Sequence, residues 1–192
     1  LYAQRFGAQL DGLIISGTAG KNPAAAAGKA MARAICAAKG PRYISQTLFN
    51  LSNGAYGKAF SEDGPVGWLS RDPQVCSAYL RDPYCNFKFT ASAYFELFSM
   101  VEECNSKKWY QEMPRHLPVF LLSGDHDPVG EMGAGPKEVY EGLVKAGMND
   151  VRLKLYPDGR HEMLNELNKQ EVYGDIEAWL DETMGQMISI EE

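Results

Sequence analysis

No stretch of this 192-residue chain stays apolar for the roughly 18 residues that a membrane-spanning helix needs. The first residues also lack the charged and apolar regions of a secretory signal. Cysteine is scarce: the four, at positions 36, 76, 85 and 104, form no CxxC pair and no zinc-ribbon spacing. That argues against a disulfide scaffold and for free thiols in a reducing, cytoplasmic setting. Acid is nearly missing from the first 60 residues, where seven Lys and Arg stand against Asp11 alone, and the formal net charge of -6 comes entirely from residues 61–192. The basic residues are scattered along an Ala-rich segment and its flanks, without the interleaved aromatics or motif of a nucleic-acid binder. A solvated face is the expectation there, and no nucleic-acid partner is expected. With 45% hydrophobic and 23% charged residues, the chain has the composition of a globular protein with a sizeable core.

Periodicity gives the organisation. Leu1–Gly7 reads as the end of a helix. Leu10–Ser16 (LDGLIIS) and Pro118–Ser123 (PVFLLS) are short, nearly continuous apolar runs, the pattern of strands buried on both faces of a parallel sheet. Val151–Tyr156 (VRLKLY) alternates instead, with Arg152 and Lys154 on one face, which places it near a sheet edge. Between the first two runs the character changes. Asn22-Pro23 starts an Ala-rich helix that Gly40 stops, short helices and Arg-Asp-Pro turns come next, and Thr90 caps a helix with Tyr94, Phe95, Phe98 and Val101 on one stripe. Further helices are predicted from about Pro136 to Ala146 and from about Lys169 to Met184. The order strand, long helical insertion, strand, helix, strand, helix predicts an α/β fold with a parallel sheet.

Working residues in such sheets gather at the carboxyl ends of strands. The second run leads into Gly124-Asp125-His126-Asp127-Pro128, the third into Pro157-Asp158-Gly159-Arg160-His161-Glu162. Parallel neighbours bring these loops together, so an acid after one strand and a His after the next can form a His-Asp pair. The carboxylate then fixes the imidazole tautomer and leaves the other nitrogen as a general base. Each residue has an ordinary reading as well, Asp127 as a turn cap before Pro128 and His161 as a loop residue; it is their joint placement that favours chemistry. A metal site from Asp125, His126, Asp127 and His161 ranks below this because the spacing matches no zinc motif. Ser16 and Ser123 read as packing residues, His116 as a surface residue, and Glu162 and Glu166 as negative charge near the start of the last helix.

The stretches LDGLIISGTAG, GDHDPVG and LKLYPDGRHEMLNE closely resemble the C-terminal half of α/β-hydrolase serine esterases, in the lysophospholipase and monoacylglycerol-lipase branch known as serine aminopeptidase S33-like. The resemblance spans essentially the whole chain. It implies the last three parallel strands of an α/β-hydrolase fold, with core residues 1–19 and 115–192 and a helical cap over residues 20–114. It implies Asp127 and His161 as catalytic acid and base, a lipid-like or small ester substrate, and no cofactor. The family's G-x-S-x-G nucleophile elbow does not occur in these 192 residues. The missing N-terminal half, as part of the same protein or a separate chain, is therefore an expected partner. The alternative is a non-catalytic remnant serving as a binding or assembly module.

Overall fold

Three parallel strands, β1 (Leu13–Ser16), β2 (Val119–Gly124) and β3 (Val151–Tyr156), make one sheet in the order β1-β2-β3 in the computed structural model, which describes residues 1–54, 56–85 and 87–191. Leu13 stands opposite Val119, and Val119 opposite Val151, so the strands begin level and their carboxyl ends finish on one side. The helices are α1 (Tyr2–Phe6), α2 (Ala24–Lys39), α3 (Gln46–Asn53), α4 (Tyr56–Ala59), α5 (Pro73–Arg81), α6 (Ala91–Cys104), α7 (Lys107–Glu112), α8 (Ala134–Lys145) and α9 (Lys169–Glu191).

The central strand β2 is apolar at successive positions because it is covered on both faces. Val119 and Leu121 pack with Trp109, Met113, Val139 and Leu143 on one side. Phe120 and Leu122 pack with Tyr156, Met163, Val172 and Trp179 on the other. β3 is an edge strand, as its alternation predicts, yet its charged face is not left to water. Arg152 pairs with Glu182, and Lys154 with Glu171 and Asp175, all on α9. Tyr156 completes this layer by donating its hydroxyl to Asp175 at 2.8 Å.

Two expectations need correction. β1 is not buried on both faces: Leu13, Ile14 and Ile15 are half-buried and Ser16 is exposed. The reason is topological, since β2 occupies one side of β1 and no described strand occupies the other. Ser16 is therefore not a packing residue, whereas Ser123 is fully buried. The helix after β2 also starts earlier than Pro136, because Gly133, at φ 87°, turns the chain directly into α8. Pro136 then falls in the first turn, where a backbone N–H would have no helical partner anyway.

The connection from β1 to β2 is helical and carries an apolar cluster separate from the sheet's. Ala25 and Ala32 of α2 meet Tyr94 and Phe98 of α6, with Leu48 of α3 beneath. The start signals act as expected: the Asn22 side chain accepts the Ala24 N–H at 2.9 Å, and the Thr90 hydroxyl accepts the Ala93 N–H at 3.3 Å. Among the described residues no helix is long and apolar enough to cross a membrane.

Candidate active site

The loops after β2 and β3 are joined by backbone contacts before any side chain is considered. The Asp125 N–H donates to the Tyr156 carbonyl at 3.1 Å, and the His126 N–H to the Gly159 carbonyl at 2.9 Å. The Asp125 carboxylate accepts the Asp158 N–H at 2.7 Å. This region is also where the backbone is strained. Glu131, Met132 and Asp158 are the non-glycine residues with positive φ among those described, two after β2 and one after β3.

The outcome is a side-chain pair. His161 Nδ1 lies 2.9 Å from Asp127 Oδ2. Asp127 is fully buried, while the His161 side chain keeps 28% of its exposure. Burying a carboxylate is costly unless its oxygens are satisfied, and they are. Asp127 Oδ1 accepts the Val129 N–H at 2.8 Å, which closes the turn at Pro128 and fixes which oxygen faces the imidazole. The Met132 N–H donates to the Asp127 carbonyl at 2.9 Å and holds the acid from behind. Asp127 is thus both a turn cap and the partner of His161. With Nδ1 engaged, Nε2 is the ring nitrogen left for chemistry.

The other candidates separate from this pair. His126 turns its Nδ1 to Asp125 at 2.6 Å and is exposed. His116 lies on the surface. Among the described residues no group of three or more His, Cys, Asp and Glu side chains converges as metal ligands would.

The helical connection supplies the roof. Trp68 tilts against the His161 ring with centroids 5.4 Å apart, and Tyr56 stands 5.4 Å beyond Trp68. Burial pushes the Tyr56 hydroxyl up, and the charges of Asp127 and Glu131 push it further, so it stays a neutral donor. A cavity of about 230 Å³ opens beside His161, lined by Tyr56, Trp68, Leu97, Phe98, Val101 and Val129 among others. From the sheet side, Gly17 makes room for the imidazole, since a Cβ there would come within 3.0 Å of His161 Nδ1.

Two buried charges tie the roof to the His161 loop, and neither role is visible in the sequence. Arg160 donates to the carbonyls of Gly67 and Ser70, pairs with Asp63, and stacks on the Phe60 ring at 4.1 Å. Glu166 is not loose negative charge near α9. It is fully buried and accepts from the Arg71 N–H and Nε at 3.0 Å each, from the Arg160 N–H at 3.1 Å, and from the Leu167 N–H at 2.9 Å.

Comparison with known proteins gives the family and the fold. A family model described as serine aminopeptidase, S33, matches residues 1–168. A monoacylglycerol lipase of Mycolicibacterium smegmatis is 29% identical over 118 residues, which are 58% of this chain and 38% of that protein. A thermostable carboxyl esterase of Bacillus coagulans, solved in complex with glycerol, superposes with a TM-score of 0.87 at 27% identity, over 95% of this chain and 60% of that one. A lipase in its open form gives 0.81 at 28% identity, over 96% of this chain and 59% of that one. The chain thus spans about 60% of the solved structures it matches and a smaller share of the curated relative.

Proposed function

This chain belongs to the serine aminopeptidase S33 family, and we propose that its Asp127 and His161 are the acid and base of a Ser-Asp-His triad that hydrolyses carboxylic esters, with the serine supplied from outside these 192 residues. The observation that carries this reading is the 2.9 Å bond between His161 Nδ1 and a fully buried Asp127 whose second oxygen is already occupied. A carboxylate so held orients the imidazole and stabilises its protonated form. His161 Nε2 takes the serine proton as the hydroxyl attacks the ester carbonyl. It returns that proton to the departing alcohol as the tetrahedral intermediate collapses, then activates the water that releases the acid. The reaction needs no cofactor.

Residues 20–114 are the cap in this reading, and the cavity beside His161 holds the acyl chain. Its apolar walls suit a lipid-like ester, a monoacylglycerol or a lysophospholipid. A monoacylglycerol lipase and a glycerol-bound carboxyl esterase among the related proteins point the same way. The unpaired side of β1 is the seam for the rest of the sheet. It is a half-buried apolar edge, flanked by a groove lined by Ile14, Ile176 and Leu180, and its free N–H and C=O groups fit another strand.

The test joins the chain to a segment of its own gene carrying a G-x-S-x-G elbow and measures p-nitrophenyl ester hydrolysis. Turnover and fluorophosphonate labelling are expected in the assembled protein, and His161→Ala should abolish turnover. Labelling of the 192-residue chain alone would place a nucleophile within it and overturn the assignment. A folded assembly with no turnover would favour the non-catalytic module.

A further inference from the structure

The positive charge of residues 1–60 reads in sequence as a scattered, solvated face; the fold gathers part of it around aromatic side chains. The segment leaving α2 runs beside the segment entering α6. Ile44 and Thr90 form an antiparallel bridge, the Ala91 N–H donates to the Tyr43 carbonyl at 2.8 Å, and the Ser92 N–H to the Pro41 carbonyl at 3.0 Å. This juxtaposition leaves four large apolar side chains in solvent: Tyr43 40% exposed, Ile44 55%, Phe87 57% and Phe89 40%. The Phe87 and Phe89 rings lie 5.5 Å apart, so they present one surface.

Three cations are interleaved with them. Lys39 Nζ stands over the Tyr43 ring at 4.8 Å. Lys88 Nζ reaches across to Gln46 Oε1 at 2.6 Å and over the Phe49 ring at 5.3 Å. Arg42 is exposed next to Tyr43. The sequence has no acid between Asp11 and Glu62, nor between Asp82 and Glu96. Among the described residues, none of the three cations is held in an ion pair, whereas Lys29, Arg71, Arg152, Lys154 and Arg160 all are.

We propose that this patch, Tyr43, Ile44, Phe87 and Phe89 with Lys39, Arg42 and Lys88, docks the protein on an anionic lipid surface. Aromatic and aliphatic side chains enter the headgroup boundary, and unpaired cations beside them meet lipid phosphates. Charge decides the occupant. A second copy docked through the same patch would bring three cations against three cations in a symmetric interface, whereas an anionic membrane complements them. The chain as a whole carries -6, so its bulk charge repels such a membrane. Attraction therefore comes from the local cluster, acting within a Debye length of about 8–10 Å. The proposal does not depend on the esterase reading, because it involves neither Asp127 nor His161.

The test is flotation of the chain with vesicles of phosphatidylcholine alone or of an equimolar phosphatidylcholine–phosphatidylglycerol mixture. Binding is expected to the anionic vesicles only and should weaken as salt is raised. Combined Lys39→Gln, Arg42→Gln and Lys88→Gln should lower the partition coefficient about a hundredfold, near fivefold for each charge removed. Ile44→Ser with Phe87→Ser should lower it as well, with every charge kept. Lys107→Gln with Lys108→Gln, outside the patch, should leave it unchanged, and circular dichroism reports whether each variant is folded. Equal binding to both vesicle types would overturn the proposal, as would binding that a folded patch variant retains. So would a concentration-dependent dimer by ultracentrifugation that Ile44→Ser and Phe87→Ser dissociate, since the patch would then be a self-interface.

Discussion

Gly124 and Gly159 touch through their backbones: a Cβ on Gly124 would stand 1.8 Å from the Gly159 carbonyl oxygen. Gly124 ends β2 and leads into the Asp127 loop, while Gly159 leads into His161, so Asp127 and His161 approach each other across a contact that admits no side chain. Gly124→Ala is expected to push the loops apart and to cost about 3 kcal/mol or more, at the top of the overpacking range. Urea denaturation measures the cost. The low-field NMR signal expected for the His161 Nδ1 proton should disappear in the same variant. An unchanged signal would show that the loops accommodate the methyl without moving the pair.

Asp127→Asn is nearly isosteric and keeps an acceptor for the Val129 N–H, but it removes the charge that holds the imidazole. In the assembled protein the proposed triad predicts a fall in kcat for ester hydrolysis on the order of 10⁴-fold, as for a triad whose acid becomes an amide. The chain should stay folded by circular dichroism. A fall of less than tenfold would mean that Asp127 serves the turn rather than the reaction.

Glu166 satisfies four donors from a site with no exposure. Glu166→Ala strands Arg71 and the Arg160 N–H together and should destabilise the chain by about 3–5 kcal/mol in denaturant titration. Because Arg160 and Arg71 carry the roof, Trp68 should shift its fluorescence in the folded fraction. Glu166→Gln retains the acceptor oxygen and should lose less.

The α9 face of β3 predicts a pH dependence. Burial pushes the Asp175 carboxyl up, but hydrogen bonds from Lys154 and Tyr156, and the Lys154 charge, outweigh it and hold the group below its ordinary value. The Lys154 ammonium is held above its ordinary value, chiefly by its hydrogen bond to Asp175. A depressed carboxyl contributes stability above its unfolded pKa of about 3.9 and loses it as pH falls through the folded value. A raised ammonium contributes below its unfolded pKa of about 10.4 and loses it as pH rises through the folded value. Asp175→Asn should therefore destabilise the chain at neutral pH and do so progressively less as pH falls below about 3.9 and through the folded value. An effect that does not change with pH would assign the loss to packing.

Features legible in the sequence rest on local pattern. The rule that neighbouring parallel strands end together places Asp127 and His161, and Thr90, Asn22 and Gly40 mark helix ends by chemistry confined to a few residues. The features that escape it depend on distant partners. Glu166 cannot be seen as buried, because Arg71 lies 95 residues earlier. Arg160 finds Asp63 across 97 residues. The half-exposure of β1 depends on which strands flank it, and Leu13–Ser16 looks the same whether a neighbour is present or not. The lipid-facing patch needs residues 39–46 beside 87–90, an adjacency set by contacts between segments more than 40 residues apart in the chain.

That long helical connection also bears on the order in which the chain folds. The path from Ser16 to Val119 is roughly four times as long as the path from Gly124 to Val151, and two doublings of loop length add only about 1 kcal/mol of closure entropy. The insertion is thermodynamically cheap. It is slower in time, because a pairing between residues so far apart waits on the helices between them, while β2 and β3 close across a single helix. Pulse-labelled exchange during refolding should therefore find the amides of Val119 and Asp125, which bond to the Asp150 and Tyr156 carbonyls, protected before that of Gly17, which bonds to the Leu122 carbonyl only when the first strand arrives.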